Sequence, residues 1–170
     1  NLDAVQWLLD EIFPRVWLQC PGARLAVAGY GLPEHWRERW PDERIEWQGF
    51  VPDLTALQRR CAGFVAALRH GGGSKLKVLE AMAAGLPLVS TAQGVSGLAV
   101  EAHAHYLAGE SAEALADGIV RLLDEPALAR QLADAARDYA RNYHDWAVAG
   151  NELEQIYRTL PTHQEPQACA

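Results

Sequence analysis

The chain has 170 residues, 49% of them hydrophobic, with 15 basic against 22 acidic side chains and a formal net charge of -7. That much apolar material supports one substantial core and one domain, and the scattered acidic balance excludes DNA or RNA as a partner, so any anion must be held locally. Three distant cysteines (Cys20, Cys61, Cys169) without a CxxC pair, no apolar run of about 18 residues and no signal-type start argue against a disulfide framework, a membrane span and export.

An amphipathic helix opens the chain, with Val5, Leu8, Leu9, Ile12, Phe13 and Val16 at spacings of three and four. The first residue is Asn1, and the chain is expected to start inside a larger protein. After Pro21-Gly22, RLAVAG (24–29) reads as a buried parallel strand. A short helix over 34–40 precedes a strand at 44–50; a helix over 54–60 precedes a strand at 63–68. Next come a helix at 75–84, a strand at 87–91 and a weak strand at 105–109. The remainder is helical, with stripes at Leu115, Ile119, Leu122 and Leu123, then Leu128, Leu132, Ala136 and Tyr139, then Trp146, Leu153, Ile156 and Tyr157. Pro126 suits a helix start, where its missing N–H costs nothing. Residues 1–160 are expected to form the domain and 161–170 a flexible tail.

Alternating strands and helices imply a Rossmann-like, doubly wound parallel sheet in an α/β fold, with ligands beyond the C-terminal ends of the strands. The loops at 29–33, 49–53, 69–74 and 91–98 are therefore the candidate site, and their glycines (Gly29, Gly31, Gly94, Gly97 among them) permit close backbone approach. Plain turn chemistry explains any one of them equally well.

HGGGSKLKVLEAMAAGLPLVS (70–90) is the most informative stretch. A nucleotide-hydrolysing P-loop needs GxxxxGK[ST], and neither Lys75 nor Lys77 follows a glycine; GxGxxG is absent too. What survives is a helix N-terminus beside small residues, where free backbone N–H groups attract a phosphate and Arg69 and the two lysines add positive charge. At about 100° per residue, Glu80 projects between Leu76 and Lys77, and its side chain leans back toward the glycines. A carboxylate there suits the two hydroxyls of a ribose whose phosphates lie on the loop. A surface Lys77–Glu80 pair, worth at most about 0.5 kcal/mol, is the bland alternative.

KVLEAMAAGLPLVST, with the glycine loop before it and Gly94, Gly97 and Leu98 after it, resembles the nucleotide-sugar-binding C-terminal domain of retaining GT-B glycosyltransferases, the glycosyltransferase group 1 / family 4. ARLAVAGYG is similar to the family's second strand and its turn, IEWQGFVPDL to the third strand and base-side loop, GFVAALRHGGG to the fourth, and NYHDWAVAGNELEQIYRTL to the terminal segment. The resemblance implies a nucleoside diphosphate sugar donor (UDP-, GDP- or ADP-sugar), no cofactor, and a role in polysaccharide or glycolipid biosynthesis. It implies that Glu80, matching the second glutamate of E-x7-E, binds the donor ribose. The first glutamate falls on Gly72, as in a branch of the family with a PLRxGGG-like segment. Arg69, Gly71, Gly72, Gly73, Ser74, Lys75 and Leu76 would then meet the diphosphate and sugar, and Phe50, Val51, Pro52 and Asp53 the base. No DxD run occurs, and His103 with His105 lacks further ligands, so no metal site is expected.

In the family a first strand and a basic diphosphate-binding loop precede this helix, and the acceptor is bound by an N-terminal domain; none of these is in the sequence. With strand order 3-2-1-4-5-6, the strand at 25–28 and that at 63–67 are expected to be separated by a gap. The fragment alone is expected to be nearly inactive. The full-length protein is expected to be cytoplasmic, with peripheral association at the inner face of the membrane left open. A degenerate domain serving as a structural or partner-binding module, with Trp36, Trp40 and Trp47 at an interface, stands as an alternative. A sugar-nucleotide epimerase is another.

Overall fold

In the computed structural model, which describes residues 1–160, the N-terminal amphipathic segment is one helical rod. It consists of α1 (Leu2–Trp7), a π-helical turn (Leu8–Ile12) and α2 (Phe13–Gln19). The wide turn has a local cause. Pro14 cannot donate to the carbonyl of Asp10 and its ring would crowd that turn, so the ladder widens just before it. Apolar periodicity reads the rod correctly and carries no sign of this turn.

Two parallel sheets follow. One pairs β1 (Leu25–Ala28) with β2 (Ile45–Gly49); the other orders β3 (Phe64–Ala66), β4 (Leu88–Ser90) and β5 (Leu107–Ala108). β1 and β3 belong to different sheets, as expected, and face each other across a cleft of about 920 Å³. Leu25, Val27, Phe64 and Val65 line its walls, with Leu8, Phe13 and Ile119 among its other lining residues. The cleft corrects the sequence reading of 24–29 as a buried strand: only Val27 is buried, Leu25 and Ala26 are half-buried and Ala28 is exposed.

The layers are doubly wound. On one face of the larger sheet, Ile12 and Val16 of the rod pack with Leu115 and Ile119 of α6 (Ala112–Asp124) against Ala67, Val89 and Leu107. On the other, Val78 and Met82 of α5 (Leu76–Ala83) pack with Ala136, Tyr139 and Ala140 of α7 (Pro126–His144) against Ala66 and Leu88. Ser111 caps α6 by accepting the Ala114 N–H at 3.1 Å, and Pro126 takes the first position of α7. The rod also serves the small sheet, where Leu9 packs with Val27 and Ile45.

The tryptophans are a further correction. Trp36, on α3 (Trp36–Arg39), is 3% exposed, and its ring lies 5.4 Å from Trp40 and 6.3 Å from Trp47, so the three form a packed cluster beside Leu9 rather than an open interface. By contrast α8 (Trp146–Thr159) buries no residue, and its stripe of Trp146, Leu153, Ile156 and Tyr157 is exposed. The expected tail at 161–170 lies outside the described residues.

Asp42 and Arg44 fasten β2 to the rod. The Arg44 side chain donates to both Asp42 oxygens (2.9 and 2.6 Å), and its guanidinium lies 4.0 Å over the Trp17 ring. These hydrogen bonds, aided by the Arg44 backbone N–H, lower the Asp42 pKa to about 2. A depressed carboxyl contributes stability above its unfolded pKa and loses it as pH falls through the folded one. Urea unfolding midpoints should therefore decline from about pH 4 toward pH 2, and Asp42→Asn should flatten that decline while lowering the plateau above it.

Candidate functional site

The C-terminal ends of β1 and β2 are clasped by a backbone bond from Gly29 N–H to the Gly49 carbonyl (2.7 Å), and Gly49 takes a positive φ of 62° that turns the chain toward Phe50. Phe50 and Val51 line the cleft beside Gly29 and Tyr30; Lys77, Val78 and Glu80 from α5 line it too. Phe50 and the Glu80 carboxylate, thirty positions apart in the chain, are thus brought to one cavity. Pro52 and Asp53 are not in its lining. Asp53 is instead the N-cap of α4 (Leu54–Gln58), accepting the Ala56 N–H at 2.9 Å. Tyr30, 94% exposed at the cleft, was not singled out by sequence reasoning. An exposed aromatic between two glycines at a strand exit was the available signal.

Glu80 is exposed, and among the described residues no cation lies within ion-pairing distance of it, so the bland Lys77–Glu80 pair does not form. Its carboxylate is free to accept hydroxyl hydrogen bonds. At the far end of the cleft the charges are already satisfied, since Glu46 pairs with Arg24 (2.9 Å) and Arg60 (3.3 Å).

None of residues 69–76 is in the lining of this cavity; the glycine loop runs between Leu68 and Lys77, which are. Gly71 and Gly73 have φ of 124° and 89°, which only glycine adopts without strain, whereas Gly72 lies outside that region. A Cβ added at Gly72 meets nothing within 4 Å, so no packing requirement explains a glycine there. Gly71 through Ser74 are exposed, as is Leu76; Lys75, the residue preceding α5, is only 8% exposed. No carboxylate among the described residues pairs with Lys75, and no side chain caps the N-terminus of α5. A buried stem, an unpaired ammonium and uncapped helix N–H groups make this the electropositive corner of the site. Arg69 is differently placed. Its guanidinium pairs with both oxygens of Asp3 on α1 and lies 5.0 Å from the Trp7 ring; the pairing lowers the Asp3 pKa and raises that of Arg69.

The loop after β4 has a structural task. Gly94 is buried in a 3₁₀ turn (Gln93–Val95), and a Cβ there would come within 2.5 Å of the Ala66 carbonyl and 2.2 Å of Ser90 Oγ. Gly31 and Gly97 are exposed turn glycines at φ of 72° and 85°. No group of three His, Cys, Asp or Glu side chains converges among the described residues; His105 Nδ1 accepts the Glu101 N–H at 3.1 Å. Nor is any helix among them long and apolar enough to cross a membrane.

Two parallel sheets covered by helices on both faces, with a glycine loop and an uncapped helix after β3, give the fold seen in the C-terminal half of GT-B proteins. A family profile described as glycosyl transferases group 1 matches residues 1–125. The chain belongs to that family. A phosphatidyl-myo-inositol mannosyltransferase of Mycobacterium leprae is 33% identical over 162 residues, covering 91% of this chain and 42% of its own. The solved C-terminal domain of a glycosyl transferase group 1 protein from Francisella tularensis superposes with a TM-score of 0.72 at 19% identity, covering 84% of this chain and 80% of that one. The Anabaena protein HepE, solved in complex with UDP-glucose, superposes at 0.73 and 18% identity over 91% of this chain and 45% of its own. The chain therefore spans about two-fifths of the length of the mannosyltransferase it matches.

Two glycines separate packing from ligand roles. Gly94→Ala should destabilise the fold by about 2–4 kcal/mol, since backbone and Ser90 must move apart, whereas Gly72→Glu should stay within about 0.5 kcal/mol of the parent. Urea denaturation of both variants measures the contrast.

Proposed function

We propose that this chain is the donor-binding domain of a glycosyltransferase that takes a sugar from a nucleoside diphosphate sugar with retention of configuration, in polysaccharide or glycolipid biosynthesis. The observation that carries the reading is the unpaired Glu80 carboxylate, in one cavity with Phe50, Val51 and Tyr30, on the helix whose uncapped N-terminus adjoins Lys75 and the glycine loop. In this reading Phe50 and Tyr30 offer faces for a base, Glu80 accepts from both ribose hydroxyls, and Gly71 through Leu76 supply backbone donors to the diphosphate. The leaving diphosphate gathers negative charge as the glycosidic bond breaks. The α5 dipole and the Lys75 ammonium oppose that charge without reorganising, which favours the transition state over the ground state. Gly72 leaves the sugar without the glutamate that the family motif has there, so sugar contacts fall to neighbouring backbone and to residues outside this chain. Acceptor binding by an N-terminal domain, and any membrane association, belong to the full-length protein.

Calorimetric titration of the full-length protein with UDP-, GDP- and ADP-sugars tests this. One donor class should bind, and Glu80→Ala should weaken it by about tenfold or more, the loss of two hydrogen bonds to a charged acceptor. Lys75→Met, which keeps the buried stem, should weaken the same donor and reduce the salt dependence of its binding. Binding to none of them, or binding indifferent to Glu80, would favour the structural-module reading.

A further inference from the structure

From Arg69 to Ser74 the glycine loop is exposed, and a methyl group built on Gly71, Gly72 or Gly73 would touch nothing within 4 Å. Packing therefore does not hold its shape, and ordering three consecutive glycines is entropically costly. Two side chains from elsewhere nevertheless fasten it. At the entrance, Asp3 on α1 receives the forked guanidinium of Arg69, sixty-six positions away, in the pairing backed by the Trp7 ring. In the middle, Gln93 Nε2 donates to the Gly71 carbonyl. Gln93 has a firm base of its own. Thr91, 2% exposed, accepts the Gly94 N–H on its hydroxyl at 3.0 Å and donates that hydroxyl to the Leu68 carbonyl, tying the 3₁₀ turn to the exit of β3.

We propose that Asp3 and Gln93 are positioning residues for the diphosphate loop: they brace it from two sides, presetting the backbone amides from Gly73 to Leu76 without touching the donor. The inference rests on the donor-binding reading above. It also divides the cations. Arg69 belongs to the brace, its charge matched by Asp3, and Lys75 remains the cation available to the diphosphate. Neither Asp3 nor Gln93 lies in the glycine-loop motif; only the fold brings them to the loop.

The test uses Asp3→Asn, Gln93→Ala and the charge-swapped double variant Asp3→Arg/Arg69→Asp, with amide hydrogen exchange over residues 70–76 and titration with UDP, GDP and ADP. An exposed forked ion pair braces modestly, so each single variant should speed loop exchange and weaken nucleotide binding by about three- to fivefold. The swapped pair rebuilds the tether with reversed charge and should restore slow loop exchange, which is the readout it decides. Tighter nucleotide binding in Asp3→Asn, which frees Arg69, would overturn the inference, because Arg69 would then be a ligand held back by Asp3. So would loop exchange as fast in the swap as in Asp3→Asn, or loop exchange unchanged in both single variants. If Asp3→Asn lowers the melting temperature strongly, Gln93→Ala, altered on a half-buried side chain, decides by the same readouts. A parent protein that binds none of the three nucleotides overturns the donor reading itself; unchanged nucleotide affinity in the variants of a parent that binds overturns only the brace.

Discussion

The two sheets of this domain are held together by side-chain packing, and the N-terminal rod supplies it. β1 and β3 exchange no backbone hydrogen bonds, so the connection between the β1–β2 pair and the β3–β4–β5 sheet runs through side chains, apolar ones at its centre and polar ties such as Asp10 to Arg39 and Trp40 and Asp3 to Arg69. Leu9 packs with Val27 and Ile45 on one side, and Ile12 and Val16 pack with Val89 and Leu115 on the other. A π-helical turn occupies Leu8–Ile12, the stretch from which both sets of contacts depart.

The candidate site depends on this arrangement because its parts come from both sides of the cleft. Tyr30, Phe50 and Val51 follow the small sheet, while the glycine loop, Lys75 and Glu80 follow β3 in the larger one. The rod also touches the site directly, since Asp3 and Trp7 meet Arg69 at the loop entrance. Stability and site geometry thus share one element. The charge economy is equally local: in a chain of net charge -7, the corner at Lys75 has an ammonium that no described carboxylate neutralises.

Much of the fold was legible because its signals are short-range. Apolar runs bounded by glycine and proline gave five strands in the right order, and the break between the strands at 25–28 and 63–67 followed from the family resemblance, in whose strand order the missing first strand is central. Boundaries shrank wherever pairing, rather than composition, sets the end: 87–91 became Leu88–Ser90, and 105–109 became Leu107–Ala108. The tryptophans at 36, 40 and 47 stand among charged residues in the sequence, and only the tertiary fold turns three rings onto one another. For the candidate site, the spacing within 69–80 gave the loop and the helix start, within one strand–loop–helix unit, while the proposed role of Glu80 came from the family resemblance. What spacing could not convey were the partners from distant sequence: Asp3 sixty-six positions from Arg69, Gln93 on Gly71, Tyr30 at the cleft. Nor could it tell that Gly94 is a packing glycine, since that depends on the carbonyl of Ala66.

The cleft has a mechanical consequence. Within each sheet, strand-to-strand spacing is fixed by hydrogen bonds a few ångströms long and strongly directional. Across the cleft β1 and β3 are unpaired, and the apolar contacts that help set the spacing are short-ranged but nearly indifferent to sliding and small rotations. Such a construction is stiff along the strands and compliant across them, with the rod as its hinge pin. The separation between the aromatic side at Tyr30 and Phe50 and the carboxylate side at Glu80 can therefore change without breaking a hydrogen bond of either sheet, so the width of the cavity is a compliant dimension of the fold.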